Sequence, residues 1–177
     1  MLQRPDVVLY ILAYNDLLKE GEAMTRRIIV TGGAIIRDHA GKILLQRRSD
    51  YGDWGLPGGG MEAGEQIEET MIREVKEETG LEVISYELAA IYTGERMNYT
   101  YPDGNEVVFV MFLFNVTAEL AGRIAADHRT LLFEDEQRES LQLVFHQLDE
   151  IDLSVINKVQ QPVFIDLMQG EATLLSH

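Results

Sequence analysis

No cysteine occurs among the 177 residues, so the chain forms no disulfide and offers no thiolate to a metal. Its four histidines, His39, His128, His146 and His177, show no metal-ligand spacing, and a zinc site is therefore not expected. Positive charge is scarce: 15 Lys and Arg stand against 30 Asp and Glu, a net charge of −15. Such a surface repels nucleic-acid backbones and anionic membranes, so neither is expected as a partner. Long hydrophobic runs are missing too. The run from Val7 to Tyr14 is short, lies between Asp6 and Asp16, and has no basic leader or small-residue cleavage site. It is also too short to span a bilayer. Repeats and low-complexity tracts are absent, and a cytoplasmic protein is the expectation.

What is present suffices for one globular domain. Hydrophobic residues make up 46% of the chain and charged residues 25%, at a length that supports a sizeable core. Residues 5–20 carry helix signals: Pro5 and Asp6 at the start, Lys19 in the last turn and Gly21 just beyond. Val7, Ile11, Tyr14 and Leu18 form one apolar stripe along that helix. The stripe must be buried, either on its own domain or between the subunits of a homodimer. Residues 1–24 are thus expected to be a helical extension, dispensable if the native start is Met24, and residues 25–177 the main domain.

From Arg27 the pattern turns to strands. RIIVTGGAIIR and KILLQRR, joined by a turn-like DHAG, are rich in aliphatic and β-branched residues. After a glycine-dense loop, YGDWGLPGGG, and a helix come three more candidate strands, VISYELAAIYT, VVFVMFLFNVTAEL and LQLVFHQL. Tyr99 to Glu106 reads as a hairpin tip with Pro-Asp-Gly turn chemistry. Residues 123–138 read as a long irregular segment, and a last helix is expected from about Pro162 to Gly170. Strands mixed with a central helix and a terminal one predict an α/β or α+β sandwich.

The central helix carries the chemistry. Glu74, Glu77 and Glu78 fall at i, i+3 and i+4, so their carboxylates share one helix face. Like charges so placed cost roughly 0.2 to 0.5 kcal/mol per pair in water, and more where water is excluded. Arg73 brings a single positive charge; a divalent ion answers three carboxylates better, and their hard oxygens suit Mg²⁺, Mn²⁺ or Ca²⁺. The opposite face, Ile67, Met71 and Val75 with Ile72 offset by one, should pack on a sheet, and Gly80 reads as a left-handed cap. Glu68 and Glu69 read as solvated surface charge.

Gly59, Glu65, Arg73, Glu74, Val75, Glu77, Glu78, Gly80 and Leu81 fit G-x5-E-x7-R-E-U-x-E-E-x-G-U, with U aliphatic, without a mismatch. Ordinary residue usage gives such a match on the order of 10⁻⁸ per starting position, which sets coincidence aside. The chain resembles a Nudix (MutT-type) hydrolase over about residues 25 to 170. The resemblance implies an α/β/α sandwich with a mixed sheet, bound Mg²⁺ or Mn²⁺, and water attack on a phosphoanhydride of a nucleoside diphosphate derivative. It further implies Glu74, Glu77, Glu78 and the Gly58 carbonyl as metal ligands, with Arg73 orienting Glu74 and with Gly59 and Gly60 beside the substrate. The base is either Glu74 or a downstream acid, for which Glu134, Asp135, Glu136 and, favoured by its place before the last strand, Glu139 are candidates. Arg47 or Arg48 is the candidate phosphate contact. Trp54 is expected to pack in its loop rather than stack on a base.

Substrate identity stays open between nucleoside di- or triphosphates and nucleotide sugars. Arg96 and Met97 stand where ADP-ribose-cleaving members often carry proline, and Tyr99 alone is weak evidence for diadenosine polyphosphates. The alternative function is a ligand sensor or interaction module without turnover on the same fold, although such domains have usually lost box glutamates that are all present here.

Overall fold

The computed structural model describes residues 26–133, 138–171 and 173–176. The expected N-terminal helix with its apolar stripe, and the acids Glu134, Asp135 and Glu136, lie outside the described residues.

The described chain runs β1 (Arg27–Ile36), β2 (Ile43–Arg48), β3 (Trp54–Gly55), β4 (Gly58–Gly60), α1 (Ile67–Thr79), β5 (Val83–Tyr92), β6 (Asn98–Thr100), β7 (Glu106–Ala118), β8 (Ser140–His146), α2 (Gln161–Gln169) and β9 (Leu175–Ser176). One mixed sheet has the order β4-β1-β7-β5-β9, with β6 also paired to β7; β3-β2-β8 form a smaller sheet. At its centre β1 and β7 run parallel over ten register pairs, Arg27 opposite Val107 to Ile36 opposite Val116.

Strand alternation divides the core in two. Ala34 and Ile36 face Leu44, Phe114, Met71 and Val75 on the α1 side, whereas Ile35 faces Leu45, Leu113, Val163 and Phe164 on the α2 side. The mixed sheet thus lies between the two helices, the expected α/β/α arrangement. Met71 and Val75 are fully buried, each adding about 1.5 to 3 kcal/mol by removal from water, an upper bound set by the unfolded reference. Gly32 lets the helix come this close, because a Cβ there would stand 3.1 Å from the Ile67 carbonyl oxygen and 3.2 Å from the Met71 nitrogen.

Two expectations need correcting. Ile72 is 37% exposed and does not join the apolar stripe, since a helix turns about 100° per residue and carries it past the sheet-facing edge. The glycine-dense stretch is not purely loop: β3 pairs with β2, and β4 pairs antiparallel with β1, Gly33 opposite Gly58. Strands β1, β2, β5, β7 and β8, the hairpin after β6 and both helix stops agree with the sequence reading, whereas the short strands β6 and β9 are not foreseen by it. Gly80 and Gly170 adopt left-handed φ of 67° and 68°. No helix among the described residues is long and apolar enough to cross a membrane.

Candidate active site

Helix α1 begins at a reciprocal cap, in which Glu69 Oε2 accepts from the Gln66 N–H at 2.8 Å. Glu69, expected as plain surface charge, therefore also caps the start of the helix.

Strand β4 runs past that face. Glu78 is 4% exposed, and its Oε2 accepts from the Gly58 N–H at 2.8 Å. Burial pushes its carboxyl up to about 8, a shift the Gly58 amide only partly opposes. Glu74 is also raised, first by burial, against the ion pair that Arg73 makes with it at 2.7 Å. Gly58 has φ 142°, and a Cβ on it would lie 2.4 Å from the Gly32 carbonyl oxygen, so the backbone passes here only as glycine.

Arg73 holds the assembly together. Its Nε donates to Glu65 Oε1 at 2.7 Å, Nη1 to Glu74 Oε1 at 2.7 Å and to Glu77 Oε2 at 3.2 Å, and Nη2 to the Gly60 carbonyl at 3.0 Å. Glu65, anchored first by Arg73 and then by the Glu62 N–H and the Thr70 hydroxyl, is drawn down to about 2.

Glu74, Glu77 and Glu78 fit a hard divalent ion in donor chemistry, offering only oxygens, and burial leaves Glu74 and Glu78 short of positive charge. As they stand, no three acidic or histidine side chains among the described residues converge closely enough to enclose an ion. Arg73 bridges Glu74 and Glu77, while Glu78 turns to the Gly58 amide.

A pocket of about 250 Å³ opens beside β4. Gly58, Gly59 and Gly60 form one wall, Met111 and Leu113 of β7 the apolar floor, and Tyr51, Tyr99, Tyr101 and Phe109 present aromatic surface. Tyr99 meets Tyr101 edge-on at 5.0 Å and Phe109 at 6.3 Å, which fixes its ring. Of the two arginine candidates only Arg48 lines this pocket; Asp50 binds it at 2.6 Å, and Glu78 lies within its electrostatic reach. Arg47 is exposed and reaches the Gly52 carbonyl at 3.4 Å. Alternation along β2 sends the two to opposite faces.

Glu139 is exposed, and its charge raises the Glu74 carboxyl, which places it within electrostatic range of the site. Trp54 packs against the core and meets His146 edge-on at 5.3 Å, a packing role as expected. Arg96 is exposed and pairs with Asp166 at 2.7 Å, while Met97 is buried in the core. The sequence reading did not single out Tyr51, Tyr101, Phe109, Asn157 or Gln160, all of which line the pocket. The period-two run Phe109, Met111, Leu113 was the one available signal; the others reach the pocket through tertiary contacts alone.

Comparison with known proteins agrees with this geometry. The NUDIX domain profile matches residues 27–167. The chain is 30% identical over 139 residues to nucleoside triphosphatase NudI of Enterobacter sp. (strain 638), covering 74% of this chain and 91% of that one. It is 34% identical over 106 residues to an ADP-ribose pyrophosphatase of Methanocaldococcus jannaschii, covering 58% and 60%. The chain spans about half the length of two further curated relatives it matches, 46% and 52%. Among solved structures, a mutator MutT protein from Bacillus halodurans superposes with a TM-score of 0.59 at 28% identity, over 83% of this chain and 86% of that one.

Proposed function

This chain belongs to the NUDIX family, and from that premise we propose that it hydrolyses a phosphoanhydride bond in a nucleoside diphosphate derivative, with Mg²⁺ or Mn²⁺ as cofactor. One observation carries the proposal. Two buried carboxylates, Glu74 and Glu78, with burial pushing both upward in pKa, stand against the glycine strand that walls an aromatic pocket.

In this reading the ion supplies charge neutralisation for phosphate oxygens and a lowered pKa for water. Glu74, Glu77, Glu78 and the Gly58 carbonyl would hold it. Arg73 is a positioning residue that keeps Glu74, Glu77 and the Gly60 carbonyl in one constellation. Arg48, at the pocket wall on the Glu78 side, contacts a substrate phosphate. The Tyr99 ring packs on the planar part of the substrate. Either Glu74 or Glu139 takes the proton of the attacking water; the bond to phosphorus forms as the bridging P–O bond breaks.

The substrates named for the two relatives are the first to test: nucleoside triphosphates and ADP-ribose. Purified protein is assayed on a panel of nucleoside di- and triphosphates and nucleotide sugars with Mg²⁺ or Mn²⁺, reading nucleotide and phosphate products. Turnover that EDTA abolishes and metal restores is expected. Equal activity in EDTA would overturn the metal mechanism, and a blank panel would favour a ligand sensor.

A further inference from the structure

Residues 156–160 are stitched to the stretch that leads into the glycine strand. Asn157 N–H donates to the Trp54 carbonyl at 2.8 Å, and Asn157 Nδ2 to Asp53 Oδ2 at 2.9 Å. Gln160 Oε1 accepts from the Leu56 N–H at 2.6 Å while its Nε2 donates to the Leu56 carbonyl at 3.2 Å. One side-chain amide thus pairs with both polar groups of one backbone unit, as a neighbouring strand would. Leu56 is 2% exposed, so water is poorly placed to substitute for either bond.

Two details show that this contact is built in. Gln160 is the N-cap of α2, where a side chain ordinarily accepts from its own helix, yet it makes no such bond because its amide is committed to Leu56. Gly55 leaves the room: a Cβ there would lie 2.8 Å from Gln160 Oε1 and 3.2 Å from its amide carbon.

Leu56 leads directly into the site. The Pro57 carbonyl accepts from the Ala34 N–H at 2.9 Å, Gly58 N–H donates to Glu78 at 2.8 Å, and the Gly60 carbonyl accepts from Arg73 at 3.0 Å. Displacing Leu56 shifts the frame in which all these contacts are made. We propose that Gln160 is a positioning residue for the hydrolytic site, fixing Leu56 and through it the register of Gly58–Gly60 against Glu74, Glu78 and Arg73. This role rests on the protein being a hydrolase.

The test compares two adjacent glutamines. Gln160→Met keeps side-chain length and removes both bonds to Leu56. Gln161→Met also removes two bonds, from Gln161 Nε2 to the Leu153 carbonyl at 2.9 Å and the Ile156 carbonyl at 3.2 Å, but neither reaches the glycine stretch. Mn²⁺ binding is read by the paramagnetic resonance of free Mn²⁺, alongside melting temperature, kcat and KM. Gln160→Met should weaken Mn²⁺ binding and lower kcat by about tenfold each, the scale for groups that support metal ligands, with KM within about threefold. Gln161→Met should keep wild-type Mn²⁺ affinity and kcat even where its melting temperature falls as far. Gly55→Ala, which pushes the amide off from the other side, should reproduce the Gln160→Met result and stands in for it should that variant not fold. Gln160→Glu, which retains the acceptor for the Leu56 N–H, should recover part of the loss. Wild-type Mn²⁺ affinity and kcat in Gln160→Met or, failing its folding, in Gly55→Ala would overturn the assignment, as would equal losses in Gln161→Met. A wild-type chain with neither Mn²⁺ binding nor turnover would instead overturn the hydrolase reading and this one with it.

Discussion

Glu74 occupies the space in which Gly59 would carry a side chain: a Cβ on Gly59 would lie 2.5 Å from the Glu74 carboxyl carbon and 2.6 Å from each of its oxygens. The Gly59 backbone is not in the left-handed region, so the requirement for glycine here is one of room alone. Gly59→Ala should push the carboxylate aside and lower kcat by at least about tenfold, the penalty that a misplacement near 1 Å commonly exceeds. Overpacking costs about 1 to 3 kcal/mol where neighbours are rigid, and less here because the obstacle is the tip of a flexible side chain. Steady-state kinetics with a thermal melt separates these effects, and an unchanged kcat would remove Glu74 from the reaction.

Glu77→Gln and Glu78→Gln should each lower kcat by at least about tenfold while the fold persists, because they weaken the ligand set rather than the core. In the presence of EDTA neither variant should unfold more easily than the parent, and above about pH 8, where the buried Glu78 carboxyl is charged, Glu78→Gln should unfold less easily. Full turnover by both at saturating metal would show the ligand assignment to be wrong.

The Glu78 carboxyl gives the metal-free protein a pH dependence of definite sign. Its usual value of 4.5 is raised to about 8 by burial, so the native state holds this proton more tightly than the unfolded chain does. The contribution is fully present below 4.5 and is lost as pH rises through about 8. Melting temperatures in EDTA should therefore carry a falling component across that window, and Glu78→Gln should flatten it. A parent and variant with parallel profiles would contradict the burial argument.

The metal helix is the most legible part of the chain, because α1 is local: spacing alone puts Glu74, Glu77 and Glu78 on one face and Met71 and Val75 on the other. Ile72 escapes such a reading because a residue at the stripe's edge is buried or exposed according to what the sheet covers, which spacing does not state. Of Arg47 and Arg48, adjacent in sequence, only the pleat decides which meets the pocket, and it selects Arg48. Gln160 and Asn157 lie about a hundred residues beyond Leu56 and Asp53, and no periodicity announces such a contact. Their partners are set by the packing of residues 156–160 on the β3 region, visible only once the chain is folded.

The Tyr99 ring gives the last prediction, on substrate binding. It lines the pocket next to the glycine wall and is held edge-on by Tyr101 and Phe109, so the ring is presented at little further entropic cost. Stacking of a base on an aromatic ring contributes about 1 to 3 kcal/mol, which corresponds to roughly a 5- to 150-fold change in binding. Tyr99→Leu should therefore raise KM by about tenfold with kcat little changed, because an interaction present equally in the ground and transition states is lost. Tyr99→Phe keeps the ring and removes only the hydroxyl, and should bind as the parent does. Were Tyr99→Phe to lose as much as Tyr99→Leu, the hydroxyl rather than the ring would carry the contact; a fall in kcat at constant KM would place Tyr99 in the chemical step instead of the binding surface.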